Sequence, residues 1–415
     1  MAINLEVPKK FGMLINQAHQ VSLEVFRPIS RKYDQAEHEY PKELDMLAAL
    51  IDGMNASGET STGARGVRRD AAGADGGPSG PGGPGGSKGN RNGTNMSSIL
   101  SIMEACWGDV AMVLSMPRQG LGNAAIASVA NDEQLARFDK LWASMAITEP
   151  SFGSDSAAVR TSAVLDGDHY VLNGEKIFVT AGDRSDAVVV WASLDKSKGR
   201  AAIKSFVVEK GTPGMVVERL ENKLGIRASD TATIRFTDCR VPQENLLGSP
   251  EIDLDQGFAG VMQTFDNTRP LVAAMALGCA RAATDEIRTI LAEAGVTVDY
   301  DRPAHTQHAA AAALLQMEAE WEAAYLLTLE ATWMADNSRP NSLQASMAKA
   351  KAGRVGVDIT LRCVELAGSV GYGEGSLLEK WARDSKILDI FEGTQQIQQL
   401  IIARRLLDKS SAELK

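Results

Sequence analysis

The stretch Arg383-Asp384-Ser385-Lys386-Ile387-Leu388-Asp389-Ile390-Phe391-Glu392-Gly393-Thr394-Gln395-Gln396-Ile397-Gln398 connects two apolar helical segments. Ile390 and Phe391 precede Glu392, and Gly393 gives the backbone freedom to turn directly after it. A carboxylate held among apolar groups loses solvation, so its pKa rises and it becomes a stronger base near neutral pH. The alternative is a glutamate that only caps a helix. The pattern therefore makes Glu392 a candidate base.

Helical spacing of apolar residues extends on both sides of this stretch. It covers residues 270–294, 309–336, 343–367 and 395–407, which predicts a C-terminal helical bundle. Upstream, residues 148–242 alternate with period two, as in β-strands. Helical spacing returns in residues 9–54 and 96–141. Residues 63–93 are rich in Gly, Pro and Ser, which predicts a mobile surface loop. We expect a helical domain at 1–143, a β domain at 144–248 and a helical bundle at 249–415.

Three further segments carry candidate binding groups. Residues 145–155 open the β domain with small and hydroxyl-bearing residues that expose backbone N–H groups, although a simple connector would have the same composition. Asn173-Gly174 predicts a type I′ hairpin. Phe178 and Thr180 then share one strand face, where the aromatic ring either stacks on a planar ligand or fills the core. Pro270 predicts a helix start that Asp266 and Thr268 can cap. Arg269 is then either free to reach a phosphate or carboxylate, or simply a surface arginine on a capped helix.

Two more segments complete the pattern, at residues 222–231 and 239–242. Together, in this order, the segments resemble the acyl-CoA dehydrogenase family over about residues 20–410. The resemblance implies a mainly α chain with a central β-barrel domain, an N-terminal helical domain and a C-terminal four-helix bundle. It also implies FAD as cofactor and conversion of a fatty acyl-CoA into a trans-2-enoyl-CoA. Glu392 would take the α-proton while the β-hydrogen leaves as hydride to flavin N5. Its backbone N–H would bind the thioester oxygen.

The same resemblance assigns the remaining site residues. The positions matching flavin-binding residues are Ile147, Thr148, Gly153, Ser154, Phe178, Thr180, Thr394 and Gln396. The positions matching residues that hold the CoA part of the substrate are Ser154, Asp266 and Arg269.

Two positions depart from the family pattern. Most members have an Arg-x-x-Phe-Gly segment that clamps the flavin pyrophosphate of a neighbouring subunit, and here only Arg302 lies near that place. Glu365 replaces a Gln that receives the same flavin, and its negative charge is unfavourable there. We therefore expect pairing with a different family subunit in a heterotetramer, with a homotetramer as the alternative. The resemblance also implies an electron-transfer flavoprotein as the partner that reoxidises the flavin.

Composition excludes several other classes of protein. The formal net charge is −10 without clustered Lys and Arg, which argues against a nucleic-acid binder. Four separated cysteines, without a CxxC, suggest neither a disulfide framework nor a zinc site, and His305 and His308 lack further ligands. No apolar run is long enough for a membrane span or a signal peptide, so we expect a cytoplasmic protein. The alternatives are a non-catalytic scaffold subunit and an acyl-CoA oxidase. Glu392 disfavours a monooxygenase of this fold.

Overall fold

The computed structural model describes residues 5–56, 93–117, 121–253, 259–410 and 413. The predicted Gly-rich loop at 63–93 lies outside these residues except for Gly93. The N-terminal helices are α1 (Gly12–Val21), α2 (Arg27–Gln35), α3 (Glu43–Ala56), α4 (Thr94–Gly108), α5 (Val110–Ser115), α6 (Leu121–Val129) and α7 (Asp132–Phe138). Helices α1 to α5 pack against one large apolar core shared with the C-terminal bundle, whereas α6 and α7 belong to a smaller apolar cluster shared with the sheet.

A curled sheet of seven strands follows, in the order β1-β4-β2-β3-β7-β6 with β5 paired to β4. Its strands are β1 (Ala143–Ala146), β2 (Ser162–Asp166), β3 (His169–Thr180), β4 (Ala187–Ser193), β5 (Ile203–Glu209), β6 (Met215–Leu220) and β7 (Thr231–Pro242). Strand β4 is buried along its whole length because a separate apolar cluster covers each side of it. The sheet is thus packed on both faces at its centre, as a continuous apolar strand predicts.

The hairpin predicted at Asn173-Gly174 is wrong. Strand β3 runs straight through these residues, and the turn between β2 and β3 lies instead at Gly167, whose φ is 65°. The pairing of β3 with β7 shifts register between Leu172 and Gly174, which marks a β-bulge. A Cβ atom at Gly174 would collide with the side chain of Thr161. The glycine therefore serves a close approach within the sheet.

The C-terminal part is a helical bundle. Its helices are α8 (Ala259–Glu293), α9 (Ala309–Asp336), α10 (Ser342–Ala367), α11 (Ser369–Tyr372), α12 (Leu378–Leu388) and α13 (Gln395–Leu407). Helix α10 lies at the centre and packs against α8, α9, α12 and α13. The predicted helix start at Pro270 is wrong, because α8 begins at Ala259 and Pro270 lies inside it. The mainly α fold with a central β-barrel domain and a C-terminal bundle is confirmed, and the barrel is an open, curled sheet.

A buried ionic cluster joins the sheet to the helices. Lys380 on α12 is fully buried and pairs with Asp109, the residue that caps α5, and with Asp384. Asp384 in turn accepts a hydrogen bond from the backbone N–H of Ile226, in the loop before β7. Since α12 leads directly to Glu392, this cluster fixes the position of the candidate base relative to the sheet. No helix among the described residues is long and apolar enough to cross a bilayer.

Candidate active site

The connection between α12 and α13 is a tight turn with two consecutive residues in the left-handed region. The φ angle is 55° at Glu392 and 95° at Gly393. A left-handed conformation is strained by about 1–2 kcal/mol for a residue with a side chain. Thr394 ends the turn, and its hydroxyl accepts the N–H of Ile397 at the start of α13. Backbone strain of this kind is concentrated at functional sites.

The carboxylate of Glu392 is half-buried inside the bundle. The Thr268 hydroxyl donates to its Oε2 at 2.8 Å. Burial raises the pKa of the Glu392 carboxyl, and the Thr268 hydrogen bond and the positive charges of Arg269 and Lys349 oppose part of that rise. The net effect is a carboxylate that holds a proton more tightly than a solvated one. A carboxylate with this property is suited to general-base chemistry.

Arg269 lies in the bundle interior and not at the surface. Its residue is 2% exposed, whereas the capped-helix pattern predicted an exposed arginine. The difference arises because α8 continues through Pro270, which places Arg269 within a packed helix. Its charge acts on both Glu392 and Lys349. The side chain of Asp266 lies outside the described residues, and the part of either residue in holding CoA stays a prediction.

The loop that opens the β domain rests on a second buried ion pair. Lys176 on β3 is fully buried, and its Nζ lies 2.8 Å from Oε1 of Glu149 and 3.1 Å from the carbonyl oxygen of Ile147. Glu149 also accepts both the N–H and the hydroxyl of Thr161. Burial lowers the pKa of Lys176 to about 8, opposed by Glu149. The Lys176–Glu149 pair therefore holds the opening loop against β3.

An exposed aromatic residue stands beside this loop. Phe178 is 59% exposed and has a φ of 55°, at a second bulge where β3 shifts register against β7 between Lys176 and Val179. Val179 is buried, whereas Phe178 is exposed and Thr180 is half-buried. The N–H of Ile177 donates to the carbonyl of Thr148 at 2.9 Å, which joins the loop to this strand.

The predicted residues thus form two groups. Ile147, Thr148, Phe178 and Thr180 lie together where β3 meets the opening loop, with Gly153 and Ser154 exposed farther along that loop. Glu392 and Thr394 lie in the turn before α13, with Gln396 exposed in its first turn. Within the described ranges, no hydrogen bond connects the first group with the second.

The comparisons with known proteins show the family of the chain. Residues 144–239 match the middle domain of acyl-CoA dehydrogenases, and residues 255–407 match their C-terminal domain. A short-chain specific acyl-CoA dehydrogenase of Clostridium acetobutylicum is 38% identical over 66% of this chain and 70% of its own. The chain belongs to the acyl-CoA dehydrogenase family. This is a family of oxidoreductases.

Two further relatives extend the comparison. The mitochondrial short-chain specific acyl-CoA dehydrogenase of Rattus norvegicus is 38% identical over 63% of this chain and 62% of its own length. The chain thus aligns with somewhat less than two thirds of that relative. The structure of butyryl-CoA dehydrogenase from Megasphaera elsdenii superposes with a TM-score of 0.78, at 28% identity, covering 98% of this chain and all of the other.

The structure also shows contacts of residues for which the sequence predicted no part in the site. Thr268, Lys349 and Gln398 surround the Glu392 turn, and Glu149 with Lys176 supports the opening loop. A weak signal exists for Lys176, which keeps the period-two spacing of the buried Tyr170 and Leu172 on β3, and a buried lysine needs a partner. Lys349 has no such signal, because the alanines and lysines around it have the composition of a solvated helix face.

Proposed function

We propose that this protein is an FAD-dependent acyl-CoA dehydrogenase that converts a saturated acyl-CoA into a trans-2-enoyl-CoA, with Glu392 as the base. One observation carries the proposal. The Glu392 carboxylate lies half-buried on a left-handed turn, and its Thr268 hydrogen bond engages only Oε2. Among the described residues no group hydrogen-bonds to Oε1, which leaves that oxygen to take the α-proton of a substrate.

The backbone N–H of Glu392 supports the same proposal. In the described part of the chain no carbonyl accepts this N–H, although the amides of Asp389, Ile390 and Phe391 just before it are all engaged. An α-proton next to a thioester is too weakly acidic for a carboxylate in water, so the developing negative charge on the carbonyl oxygen needs a fixed donor. The Glu392 N–H is that donor in the proposal. Base and oxyanion donor then belong to one residue on a fixed turn.

The residues at the opening loop fit a flavin. A planar ring needs an aromatic face and polar groups at its edge, and Phe178 is exposed on the strand whose Ile177 N–H donates to the carbonyl of Thr148. When bound, FAD supplies the acceptor for the β-hydride of the substrate. In the proposal Ile147, Thr148, Gly153, Ser154, Phe178 and Thr180 hold the flavin on this side, and Thr394 and Gln396 contact it after the Glu392 turn.

Thr268→Val tests the environment of the base. Removing the hydroxyl removes a hydrogen bond that favours the ionised carboxylate, so the pKa of Glu392 should rise further. Arg269 on α8 and Lys349 on α10 remain as the facing charges. We expect the acid limb of the profile of kcat/KM against pH to move to higher pH, with a rate loss of about tenfold at neutral pH. Thr289→Val, an exposed threonine on the same helix, is the control. An unchanged limb would argue against the assigned contact.

Short-chain thioesters are the first substrates to assay, because the relatives of Clostridium acetobutylicum and Rattus norvegicus are named short-chain specific. We propose that Ser154, Asp266 and Arg269 contribute to holding the CoA part, and that an electron-transfer flavoprotein accepts the electrons. The test is formation of trans-2-butenoyl-CoA from butyryl-CoA with an artificial one-electron acceptor. Absence of enoyl product from FAD-loaded protein across saturated substrates of several lengths would refute dehydrogenation.

The same assay separates the two alternatives. A non-catalytic scaffold subunit forms no enoyl-CoA with any acceptor, whereas an acyl-CoA oxidase forms it with oxygen alone and consumes oxygen in proportion. The proposal requires product with the added acceptor and little without it.

We further propose that the chain assembles with a second, different subunit of the family. The side chain of Glu365 on α10 is 63% exposed and pairs only with neighbouring Arg362 among the described residues. Val370 and Tyr372 on α11 are 55% and 81% exposed, which supports contact with another subunit at this face. Arg302 lies nearest to the place where most family members have the Arg-x-x-Phe-Gly segment, and it donates to the carbonyl of Thr306 within its own loop. A homotetramer of this chain alone with one FAD per subunit and full activity would exclude the heteromer.

A further inference from the structure

A lysine lies directly beneath the Glu392 turn. Lys349 on α10 is fully buried, and its Nζ donates to the carbonyl oxygen of Gly393 at 2.6 Å. Its neighbours on the same helix face are Ala345, Ala348 and Ala352, all with no exposure. Burying an ammonium group costs several kcal/mol unless it is paired and hydrogen-bonded. The buried ammonium of Lys349, on a helix face of small residues, therefore needs interactions that offset this cost.

A second side chain holds the same turn from the other side. Gln398 on α13 is fully buried, and its Nε2 donates to the carbonyl oxygen of Glu392 at 3.0 Å and to that of Gly393 at 3.2 Å. A Cβ atom at Gly393 would collide with this amide. The carbonyls of the two left-handed residues are thus both fixed by buried donors from two different helices. The donors offset the strain of the left-handed conformation at Glu392.

We infer that Lys349 and Gln398 are positioning residues that hold Glu392 in its left-handed conformation, and that the Lys349 ammonium also favours the ionised carboxylate. This inference rests on the proposed role of Glu392 as the base. The clamp orients the side chain and the backbone N–H of Glu392 together, because both directions follow from the same φ angle. A relaxed turn would misplace the proton acceptor and the oxyanion donor at once.

The charges around the turn support the second half of the inference. Thr268 and Arg269 face Glu392 from α8, Lys349 faces it from α10, and Asp389 at the end of α12 also acts on Lys349. Burial lowers the pKa of Lys349 to about 8, while Asp389 and Glu392 oppose the decrease. The ammonium is therefore charged below about pH 8 and lost above it. Without this cation, the carboxylate of Glu392 should bind its proton more tightly.

Lys349→Met in the FAD-loaded protein tests the inference. The readout is exchange of the α-hydrogen of 3-thiabutanoyl-CoA in D2O by NMR, since this thioester has no β-hydrogen to transfer. We expect exchange at pH 7 to slow about tenfold, comparable to losing one charge-assisted hydrogen bond, and its acid limb to move to higher pH. Lys351→Met, on the same helix but partly exposed and paired with Glu320, is the matched control and should exchange like the wild type.

Gln398→Met separates positioning from charge. Because the lost donor is neutral, exchange should slow while the acid limb stays in place. A folded Lys349→Met variant with wild-type rate and limb would overturn the inference. If Lys349→Met does not fold, a folded Gln398→Met variant with a wild-type exchange rate overturns the inference. Failure of both variants to fold also overturns it, since the role of both residues is then structural. Glu392→Gln run in parallel keeps the two ideas distinct: normal exchange there refutes the proposed base itself.

Discussion

Replacing Glu392 with glutamine is expected to lower the dehydrogenation rate by about a thousandfold or more, because the loss of a general base has effects of this size. The amide keeps the shape of the side chain and its contact with Thr268, so substrate binding should change little. The loss should therefore fall on kcat, with KM nearly unchanged. Steady-state kinetics with an artificial acceptor measures both. Glu320→Gln, a partly exposed glutamate on α9, is the control, and equal rates in both variants would contradict the assignment.

The stability of Glu392→Gln relative to the wild type should increase as pH rises. The folded pKa of Glu392 is raised by burial, so its favourable contribution to folding is full below the ordinary carboxyl pKa of about 4.3 and is lost as pH rises through the folded value. Glutamine does not titrate. The melting temperature of Glu392→Gln relative to the wild type should therefore increase between about pH 4 and about pH 8. A constant or falling difference would mean that the carboxylate is not destabilised in the fold.

Lys176→Met is expected to have the second largest effect, on stability and on flavin retention. The substitution leaves Glu149 buried without its cation, which typically costs about 3–5 kcal/mol. It also removes the donor that holds the Ile147 carbonyl, so the opening loop should lose its anchor. We expect a lower melting temperature, measured by calorimetry, and a lower ratio of FAD to protein after gel filtration.

A double variant shows whether the loss comes from the unpaired charge. Glu149→Gln combined with Lys176→Met removes both charges, so it should be more stable than Lys176→Met alone. FAD retention should stay low in the double variant, because the Ile147 carbonyl still lacks its donor. If FAD retention recovers together with stability, the anchor role of Lys176 is wrong.

Local patterns predicted the order of elements and the Glu392 turn, but not how each glycine and proline is used. Asn173-Gly174 has the composition of a hairpin turn, yet Gly174 lies within β3, where the side chain of Thr161 leaves no room for a Cβ atom. Pro270 has the composition of a helix start, yet α8 extends through it because packing against α4 and α10 outweighs local preference. Tertiary contacts decide both cases, and these contacts are not visible in a short window.

The supporting residues of the site were missed for a related reason. Lys349 lies in the sequence Met347-Ala348-Lys349-Ala350-Lys351, where both lysines have the composition of a solvated helix face. Only Lys351 is exposed in part, since the α10 face that carries Lys349 points toward the Glu392 turn. Its acceptor is a backbone carbonyl of Gly393, which has no signature in the sequence. The sequence therefore predicted the candidate base but not the groups that we propose to position it.

The most direct test of the central proposal is anaerobic titration of the FAD-loaded protein with saturated acyl-CoA thioesters, beginning with butyryl-CoA, while the visible flavin spectrum is recorded. Any second subunit that co-purifies is kept in place. The proposal predicts that the wild-type flavin bleaches with formation of enoyl-CoA, whereas Glu392→Gln keeps its flavin oxidised. Rapid bleaching in Glu392→Gln, or a wild-type flavin that stays oxidised with every thioester, would contradict it.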